Sequence, residues 1–118
     1  MQRGRIVFGA ALALVSIALT ACPDRIRIGD ISHDPGRYYN REVTVVGRVV
    51  RSYGAAGTGV YEIDDGTGTL WIATERYGVP TKDTYIGVTG KVMPGVTWAG
   101  RNYGNGMYET RRRTHDTR

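Results

Sequence analysis

The side chains best suited to chemistry in this chain are aromatic and basic ones, grouped at two places. Trp71 lies between Leu70 and Ile72, so in an alternating strand it points away from two apolar neighbours and offers a ring for stacking. Arg51, Tyr53 and Tyr61 are expected to flank it. The second group is Trp98, Arg101 and Tyr103, within Thr97-Trp98-Ala99-Gly100-Arg101-Asn102-Tyr103-Gly104-Asn105-Gly106. Rings and guanidiniums of this kind suit planar or sugar-like ligands, and a base stacked on an aromatic ring contributes about 1–3 kcal/mol. A plainer reading stays open beside this one. Trp71 and Tyr61 then cap the ends of a small core, and the glycine-rich segment is a mobile hairpin tip.

Other chemistry is poorly served. Asp64-Asp65-Gly66-Thr67-Gly68 offers two carboxylates, whereas calcium takes roughly six to eight oxygens, and a hairpin turn accounts for every residue of the run. His33 and His115 lie near opposite ends, with no cysteine or carboxylate at ligand spacing. No nucleophile, base and orienting group can be assembled. The chain is therefore expected to have no catalytic residue, no metal and no cofactor.

The elements that position these side chains read as strands. Val43, Val45, Gly47 and Val49 share one face of Glu42–Arg51, with Thr44, Arg48 and Val50 opposite. Residues 60–64 and 69–74 follow as a hairpin around Asp65-Gly66-Thr67-Gly68, residues 85–93 as a fourth strand, and residues 107–112 as a weaker fifth. Before them comes a polar lead-in, in which Asp30 is expected to cap one helical turn that Pro35-Gly36 ends. Gly47 and Gly90 fall mid-strand on the apolar side, where glycine marks a bend or bulge. The fold class is all-β, and five strands with a kinked first strand favour a small closed barrel over a flat sheet with two bare edges. Residues 75–83, with Gly78 and Pro80, are too short and broken for more than a loop or a single turn.

The first residues have the layout of an export signal. Arg3 and Arg5 precede an uncharged apolar run from Ile6 to Leu19, and Leu19-Thr20-Ala21-Cys22 brings small residues and then the only cysteine. Those four residues resemble the bacterial lipobox. The resemblance implies cleavage before Cys22, lipid on its sulfur, and a domain held at a membrane on the periplasmic or outer side of a bacterial envelope. A retained membrane helix needs roughly 20 apolar residues, more than this run supplies. The organisation expected is a signal peptide at 1–21, an anchored lead-in at 22–41, the barrel at 42–112 and a basic tail at 113–118.

Charge bears on the partner. The net +5 of the whole chain comes from its ends, because ten basic and ten acidic side chains balance between Cys22 and Thr110. A nucleic-acid-binding domain normally carries a basic face. Arg111, Arg112, Arg113 and Arg118 make the end of the chain basic, either as a solvated tail or as a contact for anionic lipid phosphates.

The stretch Ile28 to Val92 resembles the bacterial OB-fold domains related to anticodon-binding modules. The resemblance rests on Ile28-Gly29-Asp30-Ile31 with Asp34-Pro35, on Val43-Thr44-Val45-Val46-Gly47-Arg48-Val49, on Tyr61-Glu62-Ile63-Asp64-Asp65-Gly66-Thr67-Gly68-Thr69-Leu70-Trp71-Ile72, and on Ile86-Gly87-Val88-Thr89-Gly90-Lys91-Val92. It implies an OB-like barrel that binds ligands across its second and third strands. The expectation is an envelope lipoprotein, held at the membrane through Cys22, whose barrel binds or assembles an envelope protein, a glycan or a lipid headgroup. On that reading nucleic acid is an unlikely partner; the alternative is a single-stranded nucleic-acid-binding OB protein.

Overall fold

Glu42–Ala55 forms one long strand, β1, that serves both halves of a barrel. Its first half pairs antiparallel with β4 (Tyr85–Met93) and its second half with β2 (Thr58–Asp64), the change of partner falling at Arg48. β3 (Thr69–Thr74) follows β2, and β7 (Gly106–Thr114) closes the ring, parallel to β3 and antiparallel to β4. A separate short hairpin, β5 (Thr97–Trp98) and β6 (Arg101–Asn102), lies between β4 and β7. The computed structural model, which describes residues 24–114, thus has the closed five-stranded, OB-like barrel expected from the strand pattern. The signal-like segment, Cys22, His115 and the last residues lie outside the described part.

Alternation builds the interior. Val45, Val49, Ile63, Ile72, Ile86, Val88 and Met107 are fully buried, alternating along their strands with more exposed residues such as Thr44, Arg48, Glu62, Trp71 and Gly87. Gly47 and Gly90 do mark close approaches. A Cβ on Gly47 would lie 2.7 Å from the Asp64 carbonyl oxygen, and one on Gly90 would meet the Tyr108 carbonyl and lie 2.6 Å from Met107 Cγ. Register shifts fall between Val49 and Arg51 in β1, and opposite Thr89 and Gly90 in β7. Each inserts a residue, so the alternation of faces restarts beyond it.

One end of the barrel is plugged by α1 (Ile28–His33), whose Ile28 and Ile31 are fully buried. Asp30 does not cap this helix. The helix begins two residues earlier, its N-cap is Arg27, and the Arg27 side chain makes no capping bond. The hairpin between β2 and β3 supplies the caps instead: Ile28 N donates to Asp65 Oδ2 at 2.9 Å and Gly29 N to Thr67 Oγ1 at 2.8 Å. Burial works against the Asp65 charge, but bonds from Thr67 and the Ile28 amide hold its carboxyl below the usual carboxylate range. Asp34 and Pro35 end the helix, and Pro35–Arg37 forms a 3-10 turn. Residues 24–26 also join the sheet, with Thr44 N donating to Asp24 O at 2.9 Å and Ile26 N to Thr44 O at 2.8 Å.

The other end is covered by residues 75–84, which form no helix. Beneath them lies a polar cluster that the sequence reading missed. Tyr61 Oη donates to Glu109 Oε1 at 2.7 Å, while Arg112 donates through Nε to Oε2 at 2.7 Å and through Nη2 to Oε1 at 2.9 Å. Arg112 also reaches the Gly78 carbonyl at 2.6 Å and places its guanidinium over the rings of Tyr61 and Tyr77. The Glu109 side chain has no exposed surface. Burial beside that carboxylate pushes the Tyr61 phenol far above its ordinary value. Arg111, Arg112 and Arg113 therefore belong to β7, which runs to Thr114 past the boundary expected at Arg112.

Candidate functional site

The outer face of β1, β2 and β3 carries two cross-strand rows: Arg51, Glu62 and Trp71, then Tyr53, Val60 and Ala73. Simple alternation from Val49 would turn Arg51 inward; the register shift at Val50 turns both Arg51 and Tyr53 outward. Tyr53 stacks on Trp71 with ring centroids 6.0 Å apart, and Tyr103 leans on Trp71 at 4.7 Å. Arg101 lies 5.8 Å from the Tyr103 ring centroid. Arg51 Nε is 3.5 Å from Glu62 Oε1, in a pair whose Arg51 side chain is 64% exposed and so contributes little to stability.

Tyr103 reaches this row because the segment between β4 and β7 folds back over the barrel wall. Val96 is fully buried and, with Val60 and Ala73, makes a second small core against which Trp71, Trp98, Tyr103 and Tyr108 pack. Trp98 Nε1 donates to Thr58 Oγ1 at 3.2 Å, and backbone bonds join Val96 to Gly104 and Tyr103 to Val96. Ala99 and Gly100 both have positive φ, which a two-residue hairpin turn of this hand requires. The segment expected as a mobile tip or ligand loop is thus a packed flap, with Tyr103 and Arg101 at its open side.

Of the seven residues singled out from the sequence, Arg51, Tyr53, Trp71, Arg101 and Tyr103 meet on this face. Trp98, on the flap itself, is half-buried and bonded to Thr58. Tyr61 is corrected: it is fully buried inside the barrel and does not flank Trp71. The reason is register. The hairpin pairs Asp64 with Thr69, so Tyr61 opposes Ile72 on the inner face while Glu62 opposes Trp71. Glu62 and Tyr108 were missed, and the same register was the signal that could have found Glu62.

Electrostatically the row is close to neutral. Two guanidiniums flank it and one carboxylate, Glu62, offsets part of their charge. Exposed ring surface is concentrated at Tyr53, which is 47% accessible. The arrangement can stack a planar group and donate hydrogen bonds to an anionic or carbonyl oxygen beside it. Among the described residues no three His, Cys, Asp or Glu side chains gather where they could hold a metal ion.

No protein-family model matches the chain, and no curated protein matches its sequence. Solved structures do match. A protein assigned as an aspartyl-tRNA synthetase in Leishmania major Friedlin is similar over 80% of this chain, with a TM-score of 0.61 and 11% identity. The asparaginyl-tRNA synthetase of Pyrococcus horikoshii is similar over 66%, with a TM-score of 0.54 and 15% identity. The chain spans only 21% and 20% of those two proteins. An OBody bound to hen egg-white lysozyme matches over 66% of this chain and 84% of its own, at a TM-score of 0.51 and 14% identity. At these identities the likeness is one of fold.

Proposed function

We propose that this barrel is a binding module, not an enzyme, and that its outer face binds single-stranded nucleic acid by stacking bases on Tyr53 and Tyr103. The observation that carries the reading is the contiguous Tyr53–Trp71–Tyr103 row with Arg51 and Arg101 beside it. Barrels of the same fold in two tRNA synthetases support it by analogy, and the lysozyme-bound OBody is a reminder that such a barrel also takes protein partners. The test is titration of the chain with short single-stranded oligonucleotides, read by tryptophan emission. Tyr53→Ala and Tyr103→Ala are each expected to weaken binding by about 5- to 150-fold, the equivalent of one stacked base. With two arginines near phosphates, log K is expected to fall against log salt with a slope of about −1.4. Binding unchanged in both variants, or none up to millimolar oligonucleotide, rejects the reading.

A second reading is favoured by Leu19-Thr20-Ala21-Cys22 and the apolar run before it. In it Cys22 is lipidated, the barrel is displayed at an envelope membrane, and its partner is an envelope protein, a glycan or a lipid headgroup. Intact mass from expressing bacteria tests this: a chain starting at Cys22 plus acyl and glyceryl mass, lost in Cys22→Ala, is the expected result. An uncleaved, unmodified mass in both refutes it.

A further inference from the structure

The barrel wall formed by the first half of β1 with β4 and β7 presents a different chemistry from the aromatic row. Two cross-strand rows, Thr44–Thr89–Arg111 and Val46–Gly87–Arg113, run across it. Arg25 extends the first row through its bridge to Thr44, and Arg27 lies two residues further along. Arg25, Arg27 and Tyr85, the last 43% exposed, line an open groove of about 440 Å3 together with Ile26, Val46, Thr67 and the Asp65 carboxylate. Arg27 and Arg48 are paired, at 3.2 and 3.0 Å, with Asp30 and Asp83. Arg25, Arg111 and Arg113 have no ion-pair partner among the described residues, and all three are exposed. The balanced charge of residues 22–110 therefore conceals a local cationic wall, completed by the two exposed arginines of β7.

The position of this wall relative to Cys22 is the second observation. Asp24 O accepts from Thr44 N, so the chain enters the fold on the first of these strands. Only Pro23 separates Cys22 from Asp24, two residue steps with a reach of at most about 7 Å. We infer that this wall docks on an anionic phospholipid surface, with Arg25, Arg111 and Arg113 at the headgroup phosphates and Tyr85 at the interface, where its amphipathic ring is suited. The inference deepens the second reading above by naming the contact face. It also separates two faces: the aromatic row of Tyr53, Trp71 and Tyr103, on the second half of β1, on β3 and on the flap, is no part of the docked wall.

The test uses the full chain mixed with vesicles of neutral phosphatidylcholine, with and without anionic phosphatidylglycerol, all carrying brominated acyl chains. Tyr85→Trp supplies a probe on the wall, read as the difference from the parent chain, whose Trp71 and Trp98 lie on β3 and β5, outside the wall. Quenching of the probe is expected in anionic vesicles only. Each basic side chain near such a surface is worth about a fivefold gain, so Arg111→Gln with Arg113→Gln should shift docking by about 30-fold and abolish the quench. Flotation with both vesicle types but quenching in neither overturns the docking while leaving the anchor in place. Flotation and quenching with anionic vesicles alone uphold the docking and refute the anchor. Equal quenching in neutral and anionic vesicles overturns the electrostatic contact. A probe that responds to oligonucleotide and not to vesicles also overturns it and reassigns the wall to nucleic acid.

Discussion

Replacing Arg112 by leucine is expected to destabilise the barrel by about 3–5 kcal/mol, because it leaves the Glu109 carboxylate buried without its cation. Glu109 now receives three bonds, two from Arg112 and one from the Tyr61 phenol. A natural domain has only about 5–15 kcal/mol of stability in all, so the variant should lose about a fifth or more of it, and melt at least about 10 °C lower. A companion variant separates charge from packing. Glu109→Gln combined with Arg112→Leu removes the stranded charge and keeps an acceptor for Tyr61, so it should recover at least half of the loss. Urea denaturation of the three proteins gives the comparison. An Arg112→Leu midpoint equal to the parent's would mean that water reaches the carboxylate and that the cluster contributes nothing.

Gly90→Ala is expected to cost about 3 kcal/mol, at the upper end for an overpacked interior. The obstacle is backbone: the added methyl meets the Tyr108 carbonyl where β4 and β7 change register, and Met107 Cγ lies 2.6 Å away. A flexible side chain could move aside, but a carbonyl in a paired strand can do so only by opening the ladder. Gly36→Ala is the control. Nothing lies within 4 Å of its added methyl, and its backbone is not left-handed, so the change should be neutral or stabilising by up to about 1 kcal/mol. Equal melting temperatures for the two variants would show that the strands tolerate displacement at Gly90.

The strands were legible because valine and isoleucine alternate cleanly in residues 43–49 and 86–92, and because Asp65-Gly66-Thr67-Gly68 admits little but a turn. The meeting of Arg51 with Trp71 on one face was reached by residue type alone. The alternation actually predicts an inward Arg51, and only the inserted residue in β1 corrects it. Glu109 and Arg112 were hidden for the same reason. Three residues apart in a regular strand they face opposite ways, and the register shift near Thr110 brings them to one side. Tyr61 was misplaced although the hairpin register, counted outward from the turn, assigns it to the inner face. Asp65 and Thr67 cap a helix some 38 residues earlier in the chain, a contact that no local pattern encodes. The flap over β2 and β3 was unreadable because its core residue, Val96, stands alone in a polar, glycine-rich run.

The ring of the barrel is uneven. β7 pairs with β4 along most of its length, but it meets β3 at only three positions, Trp71, Ile72 and Ala73 against Gly106, Met107 and Tyr108. Those three rungs join segments far apart in sequence, so their formation bears the loop-closure entropy of everything between them. With only three rungs they are the shortest seam of the ring, and their backbone amides are expected to exchange with solvent before those shared by β1 and β2. Trp71 belongs to that short clasp and also to the aromatic row. Any ligand that binds only the assembled row draws the equilibrium toward the closed ring, so occupancy of the face and integrity of the barrel become one coupled quantity.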